Sequence, residues 1–353
     1  MIRVVGSKII TRDNHYVPRF YLKGWSANGS TILTYDLVVK NERVPHWKHC
    51  QIKSMACWRD FYSQTADGVV SDAFERMLNS EYETPSIRAF EKVKKNEYVE
   101  RKDIDSLVNY LVAQMVRTPQ WYLSMAKLES ALFPEVATKA VREVLDRCST
   151  EWQCKDGSAC EDGLEESSSA RLSIPIKAEL TKDGGPVVVE SYSGRTSNLA
   201  FATRVLDGVV GNTIRSCCWT VQRCPEGYFL PTSDNPVVVA GSLGSGGLGI
   251  EAGVGVRGTV IFMPIDPSHL LFTVVGFTPQ RIESAFWELL STGEIVKLIT
   301  LNATRYIFAR CPIQEVERIR SRIADAEYWK ELEKERKEWH DIQSELEAEY
   351  CGK

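Results

Sequence analysis

Two runs of strand-forming residues, TVIFMPI and HLLFTVV, are separated only by Asp266-Pro267-Ser268. β-branched and aromatic side chains fit a pleated surface, and an Asp-Pro-Ser connector has turn chemistry, so the two runs are expected to pair. Upstream, SCCWTVQR, a Pro-Glu-Gly turn and YFLPTSDNPVVVA add further strands. The second half of the chain therefore predicts a mainly antiparallel sheet, with RIESAFWELL as a helix after it.

The first half has a different period. Residues 31–37, TILTYDL, alternate as a strand and begin a hairpin. Asp72 with Glu75 three residues on has the form of a capping box, opening a helix through Leu78. Thr84-Pro85 has the form of an N-cap and a first-turn proline, opening the next helix through Val93. Ile104, Leu107, Val108, Leu111, Val112 and Met115 make a stripe at helical spacing, which must stop or kink at Pro119. Further helices are expected over 119–131 and 134–147. The resulting fold class is α+β, a helical first half packed on a mainly antiparallel sheet from the second half, with a long C-terminal helix.

At 353 residues the chain can bury a large core. The expected organisation is a single α+β domain over 1–312 and a charged helix over 313–353. Within the domain, the acidic, serine-rich stretch 148–170 is expected to be flexible, and 241–258 to be a glycine-rich loop. A net charge of −4 gives no whole-chain case for nucleic acid. No apolar run is long enough for a bilayer, and MIRVVGSKIITRDN lacks the core of a signal peptide. A cytoplasmic protein with no membrane partner is expected, its ten cysteines as free thiols.

Several short stretches carry chemistry. Tyr110, Gln114 and Arg117 form a polar stripe off the apolar face of their helix. Thr118 can cap the helix that opens at Pro119. Its N-terminal amides, with the Arg117 guanidinium beside them, favour an anion. Arg117 as a solvated residue, or paired with a nearby glutamate, is the plainer alternative. Ser233, Asp234, Asn235 and Pro236 offer hydroxyl, carboxylate and amide groups at a strand end, and the same residues are ordinary turn formers. DNHYVPRFYLKGW, residues 13–25, places a histidine among aromatic rings.

HYVPRFYLKGW, DFYS (60–63), AQMVRTP, TSDNPV and ATRYIFAR (303–310) occur in one order along the chain. Together they resemble the bacterial domain-of-unknown-function family 4238, over roughly residues 14–310. The resemblance implies a fold and a set of positions, not a reaction. Those positions are His15 with Pro18; Gln114, Arg117, Thr118 and Pro119; and Ser233, Asp234, Asn235 and Pro236. A setting in bacterial defence is implied by the kind of family, not by any residue.

Polar motif residues from three distant segments are then expected to converge. In that site His15 is a general acid or base and Asp234 orients it. Gln114, Arg117, Thr118, Ser233, Asn235, Tyr16 and Arg19 bind substrate, and Tyr16, Tyr21 and Trp25 stack a base. The kit suits phosphate-ester cleavage, so the expected function is a hydrolase acting on nucleic acid or nucleotide. The alternatives are a binding module for an anionic ligand or protein partner, or motifs that only hold the fold, with His15 donating to a backbone carbonyl. No metal site is expected: His46, His49 and Cys50 sit in an extended stretch, Cys148, Cys154 and Cys160 lack a histidine, and Glu81 and Glu83 flank a helix end. The sequence does not identify a cofactor. Leu332, Trp339 and Leu346, seven apart on the C-terminal helix, form an apolar edge for docking on the body or for self-association with another subunit.

Overall fold

The computed structural model describes residues 12–66, 69–151, 176–180, 187–191, 194–242, 247–250 and 252–351. The leading run of the chain, most of the acidic stretch 148–170 and part of the glycine-rich loop (243–246 and 251) lie outside the described residues. The chain divides into two compact units, one of residues 1–122 with 202–340 and one of 123–201 with 341–353.

The first unit is α+β. Its larger sheet has five antiparallel strands in the order Thr220–Arg223, His269–Val274, Val260–Asp266, Val238–Ser242, Leu248–Ile250. The two runs joined by the Asp-Pro-Ser turn form its centre, with Phe262 opposite Phe272. Val260, Phe262, Leu270 and Phe272 share a buried cluster with Ile282, Phe286 and Leu290, which lie four apart on the helix Pro279–Ser291. Each such fully buried side chain stabilises the fold by about 1.5–3 kcal/mol. Gly293, at φ 75°, turns the chain into the next helix, Glu294–Asn302, in a backbone region that favours glycine. Ile295, Leu298 and Ile299 of that helix enter the same cluster, and Val296 enters a second one with Tyr35 and Ile307.

That second cluster lies against a four-stranded antiparallel sheet, ordered Thr232–Ser233, Tyr306–Ala309, Thr31–Asp36, Trp47–Gln51. The first half of the chain is therefore not only helical: its hairpin pairs with a strand from residue 306 onward. Sequence periodicity identifies the hairpin but not a partner so far along the chain.

The helical layer departs from expectation at two caps. Ala73–Met77 is helical as predicted, but the Asp72 carboxylate pairs with Arg76 and makes no cap. The chain does not stop before Thr84. It passes through a π turn, Leu78–Glu83, straight into the helix Thr84–Lys94. A proline ring clashes with the carbonyl four residues back in an α-helix, and the wider i→i+5 turn before Pro85 relieves that clash. A reciprocal capping box does occur, at Glu100 and Asp103, opening the helix Arg101–Met115. Phe90 and Tyr110, one from each of the last two helices, meet edge to face at 5.0 Å.

Pro119–Glu151 is one helix, not two, with Pro134 inside it. Pro134 and Ser130, whose carbonyl loses a donor to that proline, are both exposed, so water can replace the missing bond. In the second unit the hairpin Ile176–Leu180 with Val187–Ser191 is antiparallel. There the buried Arg195 guanidinium pairs with Glu347 at 2.5 Å, and its backbone N–H donates to Gln343. In the first unit the C-terminal helix, Ala326–Cys351, sets Trp339 against Trp58, Phe61 and Tyr122. No described helix is long and apolar enough to cross a membrane.

Candidate functional site

The opening strand, Asp13–His15, pairs antiparallel with Cys57–Arg59, His15 opposite Cys57. Between them in the chain the turn Ile52–Ser54 and the left-handed Ala56 (φ 46°) bend the backbone back towards the strand. The bend brings the Lys53 carbonyl within 3.1 Å of His15 Nε2. A carbonyl can only accept, so Nε2 carries a proton, and the Asp13 backbone also favours the protonated ring.

The QxxRTP segment grips this strand through its main chain. Gln114 Nε2 donates to the Tyr16 carbonyl at 2.8 Å, and an Arg117 terminal nitrogen donates to the His15 carbonyl at 2.8 Å. The other Arg117 terminal nitrogen pairs with Glu83 at 2.5 Å, and Tyr62 donates its hydroxyl to the Arg117 carbonyl. Tyr62 N–H in turn bonds the Asn14 side chain. Arg117 is 1% exposed, and its Nε has no hydrogen-bond partner. Burial works against its charge, but Glu83 outweighs that and raises its pKa, so the guanidinium is a permanent cation.

Thr118 accepts the N–H of Trp121, capping the helix as expected, and donates to the Asn235 side chain at 3.2 Å. Through that bond the Ser-Asp-Asn-Pro turn meets the helix corner. Its remaining groups face inward: Ser233 donates to the Asn235 carbonyl, and Asn235 and Asn302 exchange side chain-to-carbonyl bonds. The two Asp234 oxygens accept the N–H groups of Thr304 and Arg305, each at 2.8 Å. The three motifs thus meet in space, but Asp234 does not orient His15. It is buried at a different place, holding the entry to the strand Tyr306–Ala309, and burial pushes its carboxyl up to about 6 against those bonds. Tyr16, Tyr21 and Trp25 are not free to stack a base either. Tyr16 packs on Trp58 and Phe61, Tyr21 bonds the Pro264 carbonyl, and Trp25 bonds the Leu230 carbonyl. Each is buried because its ring fills the layer between the opening segment and its neighbours.

A cavity of about 620 Å³ opens where His15, Arg19, Lys53 and Arg117 come together, a size suited to a small ligand. The sequence did not single out another wall of it, formed by Glu75, Asn79 and Glu83 from the continuous helical stretch around the π turn. One Glu75 oxygen is buried without a partner. Burial raises the Glu75 carboxyl to about 6, Arg117 opposing and Glu83 assisting. Burial lowers the His15 pKa below 6.5, the Lys53 carbonyl opposing and the Arg19 and Arg117 charges assisting. Arg19, Lys23 and Lys53 are exposed at the rim, and among the described residues none has a carboxylate partner. The sequence signal for the missed wall is the four-residue repeat of Glu75, Asn79 and Glu83 in AFERMLNSEYE. It was obscured because Glu75 also fits a capping box and Glu83 a helix boundary.

Among the described residues no group of three or more His, Cys, Asp or Glu side chains is placed to hold a metal ion. His46 instead meets Glu317 at 2.7 Å. Cys154 and Cys160 lie outside the described residues.

A family model described as protein of unknown function (DUF4238) matches residues 13–311. No curated protein matches the chain. No solved structure matches it.

Proposed function

We propose, for a chain that belongs to the DUF4238 family, that the cavity beside His15 binds a phosphate-bearing ligand and cleaves a phosphodiester of a nucleotide or nucleic acid. One observation carries this reading. His15, its pKa lowered by burial, and Glu75, raised to about 6, line the same cavity as a buried arginine with an unpartnered Nε.

The division of labour follows from the environments. His15, its pKa lowered, is largely neutral at pH 7 and takes the proton of the attacking oxygen. Glu75, raised to about 6, keeps a usable protonated fraction and gives that proton to the leaving oxygen. Arg117 faces the phosphate as a fixed donor and cation, and Arg19, Lys23 and Lys53 attract it. Gln114, Thr118, Ser233, Asp234 and Asn235 are positioning residues in this scheme. They hold the carbonyls and turns that frame the cavity.

The test is turnover of labelled RNA, DNA and dinucleotide substrates by the full chain between pH 5 and 8. A neutral His15, favoured by its lowered pKa, and a protonated Glu75, favoured below about 6, are both required, so the rate should pass through a maximum on the acid side of neutrality and fall towards pH 8. His15→Gln and Glu75→Gln should each lower the rate by about 100-fold or more. Absence of turnover on every substrate, or variants as fast as the parent, overturns the proposal. The rim cations by themselves also favour an anion-binding module, which the same experiment would reveal as binding without cleavage.

A further inference from the structure

Resting on that reading, we infer that the substrate is an RNA strand whose own 2′-hydroxyl is the nucleophile. Two features of the cavity point there. The first is the layout of positive charge. Arg19 and Lys23, four apart in the consecutive short turns Arg19–Leu22 and Lys23–Trp25, line the cavity. Lys53, from the turn Ile52–Ser54, stands near His15. All three are exposed, and no ion pair engages them among the described residues. Arg117 places a single buried cation in the wall, sufficient for the group that reacts. Three further cations outside it match the neighbouring phosphates of a strand, which a mononucleotide lacks. Phe20, half-buried in the lining, adds an apolar surface at the same mouth.

The second feature is the source of the attacking oxygen. The lining contains no thiol, and its one hydroxyl, Ser30, donates to the Asn28 side chain at 3.0 Å in a surface turn. With His15 and Glu75 assigned to proton transfer and Glu83 paired to Arg117, the lining offers no hydroxyl or thiol free to attack the phosphate. A ribose 2′-hydroxyl is already tethered beside the phosphorus, where intramolecular attack has a large advantage over a free reactant.

The step balances without a co-reactant. His15 takes the 2′-hydroxyl proton and the 2′-oxygen forms a bond to the adjacent phosphorus. The bond from phosphorus to the 5′-oxygen of the next nucleotide breaks, and that oxygen receives the Glu75 proton. Arg117 holds the non-bridging oxygens, where charge accumulates. The products are a 2′,3′-cyclic phosphate and a free 5′-hydroxyl.

The experiment uses the unmodified full chain and varies the substrate, so folding of a variant is not in question. End-labelled single-stranded RNA is compared with DNA of the same sequence and with RNA carrying a 2′-O-methyl group at each cleaved position, and the new ends are identified by mass spectrometry. The expected result is cleavage of RNA to cyclic-phosphate and 5′-hydroxyl ends, and loss of about 100-fold or more in rate where the hydroxyl is blocked. Comparable cleavage of DNA or methylated RNA, or ends bearing a 5′-phosphate, overturns the RNA inference and leaves phosphodiester cleavage standing. No cleavage of either polymer overturns the RNA inference, and no turnover of dinucleotides as well overturns both. As an independent arm, Lys23→Gln should weaken binding of an RNA strand several-fold more than it weakens binding of a mononucleotide; equal effects on both would refute the assignment of the rim to neighbouring phosphates.

Discussion

Truncating Glu83 to alanine tests whether the frame around the cavity rests on a buried charge pair. Arg117 is 1% exposed on its side chain and Glu83 15%, with 2.5 Å between them. Removing one member of a buried pair leaves the other uncompensated, at a cost of about 3–5 kcal/mol. Water can reach the vacated side because Glu83 is not fully enclosed, which sets the expectation for Glu83→Ala at about 3 kcal/mol. Glu83→Gln keeps an acceptor for the guanidinium and only turns a charge-assisted bond into a neutral one, at about 1–2 kcal/mol. For a folding unit of this size each kcal/mol moves Tm by about 2–4 °C, so the alanine variant should melt about 6–12 °C below the parent and the glutamine variant in between. Tryptophan fluorescence on heating reads this directly, since Trp58 and Trp339 belong to the same unit. The pair also acts on Glu75. Glu83 is one of the charges that hold the Glu75 carboxyl near 6 while Arg117 pulls it down, so Glu83→Gln should lower that pKa. An acid that must be protonated to act then loses its proton sooner, and the alkaline fall of any turnover should move to lower pH. An alanine variant melting within about 2 °C of the parent would refute the argument.

Two further perturbations probe the parts that surround the site. Asp234→Asn leaves one acceptor for two backbone N–H groups, those of Thr304 and Arg305, and turns an N–H towards the other, so it should destabilise by about 1–3 kcal/mol at pH 7, measured by urea unfolding. Because burial raises Asp234 to about 6, the fold holds that proton longer than the unfolded chain does; its contribution is present below pH 4 and is lost as pH climbs towards 6, a decline that should flatten in the asparagine variant. Trp339→Ala empties an aromatic cluster with Trp58, Phe61 and Tyr122 and should cost about 3–5 kcal/mol; an unchanged urea midpoint would mean the C-terminal helix does not dock through this ring.

The strands and most helices were legible because each carries its period locally. TVIFMPI and HLLFTVV pair as read, and the stripe from Ile104 to Met115 faces a core as read. What could not be read was pairing across the chain. Nothing in TILTYDL specifies that its neighbour begins at Tyr306. The same limit applied to the site. The motif residues converge, but Gln114 serves a carbonyl and Asp234 two amides where side-chain partners were expected. His15 meets the Lys53 carbonyl, the contact expected if the motif holds the fold. Such partners leave no signature in side-chain spacing, because every residue carries the same amide.

The least legible feature was the one that completes the cavity. In an unbroken α-helix a residue eight positions on has drifted by about 80° around the axis, enough to carry Glu83 away from the face that holds Glu75. A π turn closes i→i+5 bonds, is wider, and takes back part of that drift. The turn at Leu78–Glu83 occupies the second half of that interval, and Glu75, Asn79 and Glu83 all reach one cavity. Pro85 supplies the local reason for the wide turn, and Thr84-Pro85 also reads as the start of a new helix, which would have set Glu75 and Glu83 on unrelated axes. The proline that hid the wall from a sequence reading thus keeps its two carboxylates on one side of Arg117. One of them holds the guanidinium charge, and the other is left with a raised pKa and a buried oxygen that has no partner. Two carboxylates of the same helical stretch acquire different roles because only one is within bonding distance of the arginine.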